Sequence, residues 1–248
     1  TDLIRRMQGA LVGLPVGDAL GPPVEFRPYE YLRQNPVTEM QSGGTWGLQA
    51  GQWTDDTSMA LCLAASLIVK GRSDLYDQFA RYKRWYKNGY LSSTGRCFDI
   101  GKSTSIAIAE FENRQRQVAN LLVHRQGSNN DVSPFSEEMV EFYFYQYGFD
   151  IKCGTADSAG NGGLMRLAPL PMFYSQSYNT LKQQIEDSTR LTHGDPRAVD
   201  ACRFYAGLIW YALNGFSKKQ ILHANFYQEY LNLSLHKDVL EIARGSYK

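Results

Sequence analysis

No segment of this 248-residue chain alternates apolar and polar residues as a half-buried strand requires, whereas helical spacing recurs in one segment after another. That contrast restricts the fold class to all-α, a compact single-domain helical bundle. Helix is expected over residues 2–20, capped by Asp2, with Leu3, Met7, Ala10, Leu11 and Leu14 on one face. Gly9, Gly13 and Gly17 recur every four residues there, a spacing that reads as tight packing against a neighbour. Pro22, Pro23, Pro28 and Pro36 then prevent a persistent helix. Further helices are expected over 56–69, ended by Gly71, and after Ser73, which would cap a helix carrying Phe79, Tyr82, Trp85 and Tyr86. Ser103 or Thr104 should begin one reaching about Asn113, and 137–147 reads as an aromatic helix. Helices at 164–174, interrupted by Pro169 and Pro171, and at 179–191 follow. Asp195 at the N-cap and Pro196 at the first helical position mark a strong start for 195–214. Residues 218–248 fit one or two amphipathic helices.

Composition excludes several function classes. A formal net charge of +1 with 21% charged residues leaves no single-signed block, which speaks against a nucleic-acid partner. Arg81, Lys83 and Arg84 interleave with aromatics as the exposed basic face of a helix that buries its rings would. Cys62, Cys97, Cys153 and Cys202 lie too far apart for a cysteine metal site and are read as reduced thiols of a cytoplasmic protein. Nothing reaches the apolar length of a membrane span, and no signal-peptide pattern precedes the first helix.

The chemistry concentrates in Gly51-Gln52-Trp53-Thr54-Asp55-Asp56-Thr57-Ser58-Met59. Acids and hydroxyls at a helix start can serve as caps, and taken alone the stretch reads that way. A cap needs a single oxygen, however, and Thr54, Asp55, Asp56 and Thr57 supply several, as a hard cation such as Mg²⁺ requires. The turn at Gly160 to Gly163 lets backbone amides approach a phosphate, although glycines at a helix start are often only a bend. Asp99 before Gly101 reads as an Asx turn, and His193 as a structural helix-end histidine.

In order along the chain, five segments carry a resemblance: residues 9–21, residues 51–58, Phe98-Asp99-Ile100-Gly101, Gly160-Asn161-Gly162-Gly163-Leu164-Met165-Arg166, and Thr192-His193. Together they resemble the ADP-ribosylglycohydrolase family, which includes the dinitrogenase reductase-activating glycohydrolases, from about Ile4 to about Trp210. The resemblance implies an all-helical hydrolase that uses two Mg²⁺ or Mn²⁺ ions to remove ADP-ribose from modified proteins or small ADP-ribosyl conjugates. It assigns Thr54, Asp55 and Asp56 to the metal and an acid–base role to Asp99. It places Glu25, within Val24-Glu25-Phe26, in a mobile acidic segment over the site. Gly101, Ser158, Gly160, Asn161 and Gly162 would line the ADP-ribose pocket, with His193 against ribose or phosphate. The whole of 1–248 would be one such domain, with 114–157 an insertion relative to the family.

One departure qualifies the resemblance. The family's second acidic motif, a Gly-Asp-x-Asp-Thr pattern, is missing: after Asp195 the acids are Asp200, Glu229, Asp238 and Glu241, no two adjacent. The chain is therefore expected to be C-terminally incomplete or to have lost the full metal site, and to hold at most one ion weakly. An ADP-ribose-binding module with poor turnover and a crystallin-like structural relative are the rival expectations.

Overall fold

The computed structural model describes residues 2–126 and 135–245. Helix α1 occupies Asp2–Leu20 and carries Pro15 inside it, so one backbone bond is forfeited without ending the helix. Asp2 lies within the first turn rather than capping it, and pairs with Arg6 at 2.7 Å. The glycine spacing in α1 does not serve packing, contrary to expectation. A Cβ at Gly9, Gly13 or Gly17 would meet nothing within 4 Å, and Ala19 is the buried residue of this helix.

A 3₁₀ turn at Pro22–Val24 and the short α2 (Tyr29–Gln34) lead into the loop before α3 (Asp55–Lys70). Gly71 ends α3 at φ +62°, a conformation that a side chain would strain. Helix α4 (Leu75–Asn88) is capped by Asp74, whose carboxylate accepts from the Asp77 amide, and not by Ser73. Ser73 is engaged elsewhere: its hydroxyl accepts from Gln78 and its amide donates to the Tyr174 hydroxyl. Helix α4 buries Phe79, Tyr82 and Trp85 as expected, but of the three basic residues only Arg84 is exposed: Arg81 pairs with Asp77 and Lys83 donates to Gln115, both with largely covered side chains.

Helix α5 runs from Lys102 to Gln126, well past the expected end near Asn113. Val118 and Leu122 continue the buried stripe begun by Phe111, and the polar residues between them do not interrupt it. Phe79 stacks on Phe111 with centroids 4.5 Å apart, and Tyr76 meets Phe111 and Phe144 edge-on. Phe144 comes from α6 (Glu137–Gln146), so the aromatic helix expected here packs into the core. Part of the 114–157 interval lies outside the described residues.

The prolines divide the next segment into α7 (Gly162–Met165) and α8 (Pro169–Phe173). Helix α9 (Tyr178–Arg190) packs along α10 (Pro196–Leu213), and α10 also touches α1, α7 and α8. Asp195 caps α10, held well below the usual carboxylate range, at about 2, by the Arg197 side chain. The C-terminal part forms three short helices rather than one or two: α11 (Lys218–Ile221), α12 (Phe226–Glu229) and α13 (Lys237–Ala243). Among the described residues the nearest thing to a strand is one bridge between Gly43 and Leu48, and no helix is long and apolar enough to cross a membrane. All four cysteines are free thiols.

Candidate active site

The acidic turn is organised by a residue the sequence motif did not single out. Asp18, near the end of α1, takes the place of a cap for α3. Its carboxylate accepts from the amides of Thr54 and Thr57, each at 3.0 Å, and from their hydroxyls at 2.7 and 2.6 Å. Thr54 occupies the N-cap position but its side chain caps nothing. Asp55 and Asp56 are thereby released from capping and stand half-buried in the first turn. Asp18 is invisible to local motif reading because its partners are 36 and 39 residues away. An acid next to the last of the three spaced glycines was the available signal.

Around this turn carboxylates crowd one another. Burial first, and then the charges of Asp56, Asp99 and Asp18, push Asp55 up to about 8. Asp56 is raised to about 6 by burial and then by Asp18, with Glu25 contributing. Asp99 is raised by burial and by Glu25. Asp55 and Asp56 thus feel the charge of acids brought in from three other stretches of the chain, at Asp18, Glu25 and Asp99. Asp18, Glu25, Thr54 and Asp56 line a cleft of about 350 Å³ together with Gly17 and Pro22.

Glu25 accepts a 2.9 Å hydrogen bond from the Trp46 indole, and that ring lies between Phe26 and Phe98. Phe26, exposed at φ +63°, turns the chain sharply just after Glu25. The segment 89–101 is tied to the acidic turn by Ser93, whose hydroxyl donates to the Trp53 carbonyl at 2.6 Å, and by the Trp53 indole donating to Leu91 O. It delivers Asp99 to the acids and Gly101 to the start of α5.

The second half of the site is built from backbone in close approach. The Gly194 amide donates to Thr155 O and to the Ser158 hydroxyl, which itself donates back to Thr155 O. A Cβ on Gly194 would lie 2.5 Å from Gly154 O, so only glycine permits this crossing. Ser158 is buried as a strut between the two loops, its hydroxyl already engaged. Asn161 occupies the N-cap of α7 through its carbonyl, and Gly160 and Asn161 are exposed.

The crossing places His193 against the Gly-rich turn. A Cβ at Gly160 would be 3.1 Å from His193 Nε2, and one at Gly162 would be 2.7 Å from its Cε1 and 3.0 Å from Thr104 Oγ1. Thr104 is also the nearest side chain to Gly101. Burial, then the neighbouring Arg166 cation, lowers the imidazole to about 4. Gly101, Gly160, Gly162 and His193 thus come together, while Asp55, Asp56, Asp99 and Glu25 gather separately. The segment Cys97 to Thr104 links the two groups.

An all-helical domain with these features is matched by known proteins. The ADP-ribosylglycohydrolase family profile matches residues 1–244, and the chain belongs to that family. It is 32% identical over 248 residues to the ADP-ribosylarginine hydrolase Tri1 of Serratia proteamaculans (strain 568), covering all of this chain and 57% of that protein. It is 28% identical over 216 residues to the ADP-ribosyl-[dinitrogen reductase] glycohydrolase of Rhodospirillum rubrum, covering 86% of this chain and 60% of that one. A solved structure described as an ADP-ribosylglycohydrolase-related protein complex superposes with a TM-score of 0.70 at 32% identity, over 99% of this chain and 68% of the other. The chain therefore spans somewhat over half the length of these two curated relatives.

Proposed function

We propose that this domain hydrolyses the bond between ADP-ribose and an arginine side chain of a modified protein, with a divalent cation at the start of α3. The arginine linkage follows the name of the Serratia relative. The observation that carries the reading is the pairing of a carboxylate cluster with a Gly-rich turn, joined by the segment Cys97 to Thr104. An ADP-ribosyl conjugate asks for both: a backbone cradle for pyrophosphate and negative charge beside the ribosyl carbon as it becomes oxocarbenium-like.

The donor set of Thr54, Asp55 and Asp56 fits a hard cation in its chemistry, since all its atoms are oxygens and its carboxylates repel one another without a counter-charge. Two carboxylates and a hydroxyl are too few for two octahedral ions, and since among the described residues no three His, Cys, Asp or Glu side chains form a ready ligand group, water would have to complete the shell of even one. When bound, Mg²⁺ or Mn²⁺ would polarise the ribose hydroxyls and orient water. Asp99 or Glu25 takes the proton of the attacking water while its oxygen bonds to the ribosyl carbon. The carbon–nitrogen bond breaks, its electron pair goes to the guanidine nitrogen, and the proton taken from water passes to that nitrogen as it leaves. Gly101, Gly160, Asn161 and Gly162 hold the pyrophosphate and ribose, with Ser158 fixing the turn. Free thiols fit a cytoplasmic setting.

The test is release of ADP-ribose from an ADP-ribosyl-arginine peptide with and without Mg²⁺ or Mn²⁺, beside calorimetric titration with ADP-ribose. Binding with metal-dependent release is expected. Binding with no release at any metal concentration would leave a binding module, and neither would overturn the reading.

A further inference from the structure

Behind the Gly-rich turn lies an arginine with no counter-ion among the described residues. Arg166 is 1% exposed, its guanidinium sits 4.7 Å from the centroid of the Tyr82 ring, and its Nε and Nη1 reach no acceptor among the described residues. Nη2 makes its hydrogen bonds, to Ser188 O at 3.1 Å and to Thr192 Oγ1 at 2.8 Å. Thr192 Oγ1 is in turn 2.8 Å from His193 Nδ1.

Donor counting, together with where the leftover donor would lie, gives this chain a direction. A guanidinium only donates, so Thr192 Oγ1 accepts from Arg166 and keeps one proton to give. If Nδ1 carried the imidazole proton, it would donate to Oγ1 as well. The threonine proton would then have no acceptor among the described residues, in a side chain that is fully buried. If Nδ1 is bare, the hydroxyl donates to it, and the donor left over is the ring N–H on the side of the exposed Gly160, where a ligand can accept it, instead of a hydroxyl shut in the core. The imidazole proton then belongs on Nε2, the atom that lies nearest to Gly160 and has no hydrogen-bond partner among the described residues.

We propose that Arg166, acting through Thr192, is a positioning residue that fixes the His193 proton on Nε2 and so presents an N–H donor to an oxygen of the ligand at the Gly160–Gly163 turn. The ligand half rests on the functional reading above; the relay itself does not. The buried guanidinium adds a second contribution, an unmatched positive charge behind a turn that faces an anionic pyrophosphate. It also disfavours a second proton on the ring, in keeping with the lowered His193 basicity.

Long-range ¹⁵N–¹H spectra of the full chain without ligand, with His193 assigned by His193→Gln, read the tautomer directly. The expected pattern is a protonated Nε2 and a bare Nδ1. Thr192→Val, which keeps the shape and removes the hydroxyl, should mix the two tautomers and weaken ADP-ribose binding about tenfold. Thr192→Ser should retain both properties. A proton on Nδ1 in the unmodified chain overturns the relay, as does a Thr192→Val protein with unchanged tautomer and affinity. A correct tautomer in a chain that binds no ADP-ribose overturns the donor role and the functional reading together.

Discussion

The acidic turn and the Gly-rich turn solve opposite electrostatic problems with opposite means. At the first, side chains do the positioning: Asp18 reaches from α1 to organise Thr54 and Thr57, and the acids beside it repel one another. At the second, backbone does it: Gly154 and Gly194 cross in contact, Ser158 braces them, and a cation lies buried behind. One end carries surplus negative charge and the other surplus positive charge. A ligand with an anionic pyrophosphate and a ribosyl carbon that turns cationic matches that polarity end to end.

Breaking the backbone half should cost most. Gly194→Ala places a methyl group against Gly154 O and should lower unfolding free energy by about 3 kcal/mol, read from urea midpoints. An unchanged midpoint would mean that the crossing opens readily. At the acidic turn, function and stability should separate. Replacing Asp55 and Asp56 together by Asn should reduce metal-dependent release on the order of 100-fold while Tm holds, because neither acid caps α3. Asp18→Ala should instead cost about 2 kcal/mol of stability, since it strands two amides and two hydroxyls. Equal melting shifts for the two variants would erase the distinction between cap and ligand.

A pH experiment sharpens the other side. His193 is depressed in the folded state from 6.5 to about 4, so the unfolded chain takes up the proton first as pH falls. The stability contributed by the buried neutral ring is full above pH 6.5 and is lost toward pH 4. Between pH 6.5 and 5 the loss should be about 1.5 kcal/mol and should be absent in His193→Gln. The smallest effect is on binding: Gly162→Val crowds His193 and Thr104 and should weaken ADP-ribose about tenfold, roughly 1.4 kcal/mol by calorimetry. Full affinity in a folded Gly162→Val protein would move the pocket elsewhere.

What the sequence made legible was local. Helix α1 begins and ends where its spacing says, and Asp195-Pro196 starts α10 as expected, because caps and periodicity act within a few residues. What escaped was set by tertiary contact. Gly9, Gly13 and Gly17 look like a packing stripe until α1 is seen to leave them in the open. The extension of α5 beyond Asn113 depends on Val118 and Leu122 finding the core, and the polar run between gives no hint of it. Asp74 takes the cap from Ser73 because Arg72 and Lys70 hold a carboxylate there. Within the candidate site, the acids and glycines were visible as motifs. Asp18, Arg166 and Thr192 fell inside those segments without a role, since each acts through partners on another helix or loop.

The remote cap has a dynamic consequence. Helix α1 carries a thin share of buried surface, so its opening should require less free energy than global unfolding. Because Asp18 holds the amides of Thr54 and Thr57, those two protons should exchange with solvent at the rate at which the end of α1 opens, although they lie at the N-cap and in the first turn of α3. The geometry of the acidic turn is then only as long-lived as that one closed helix end.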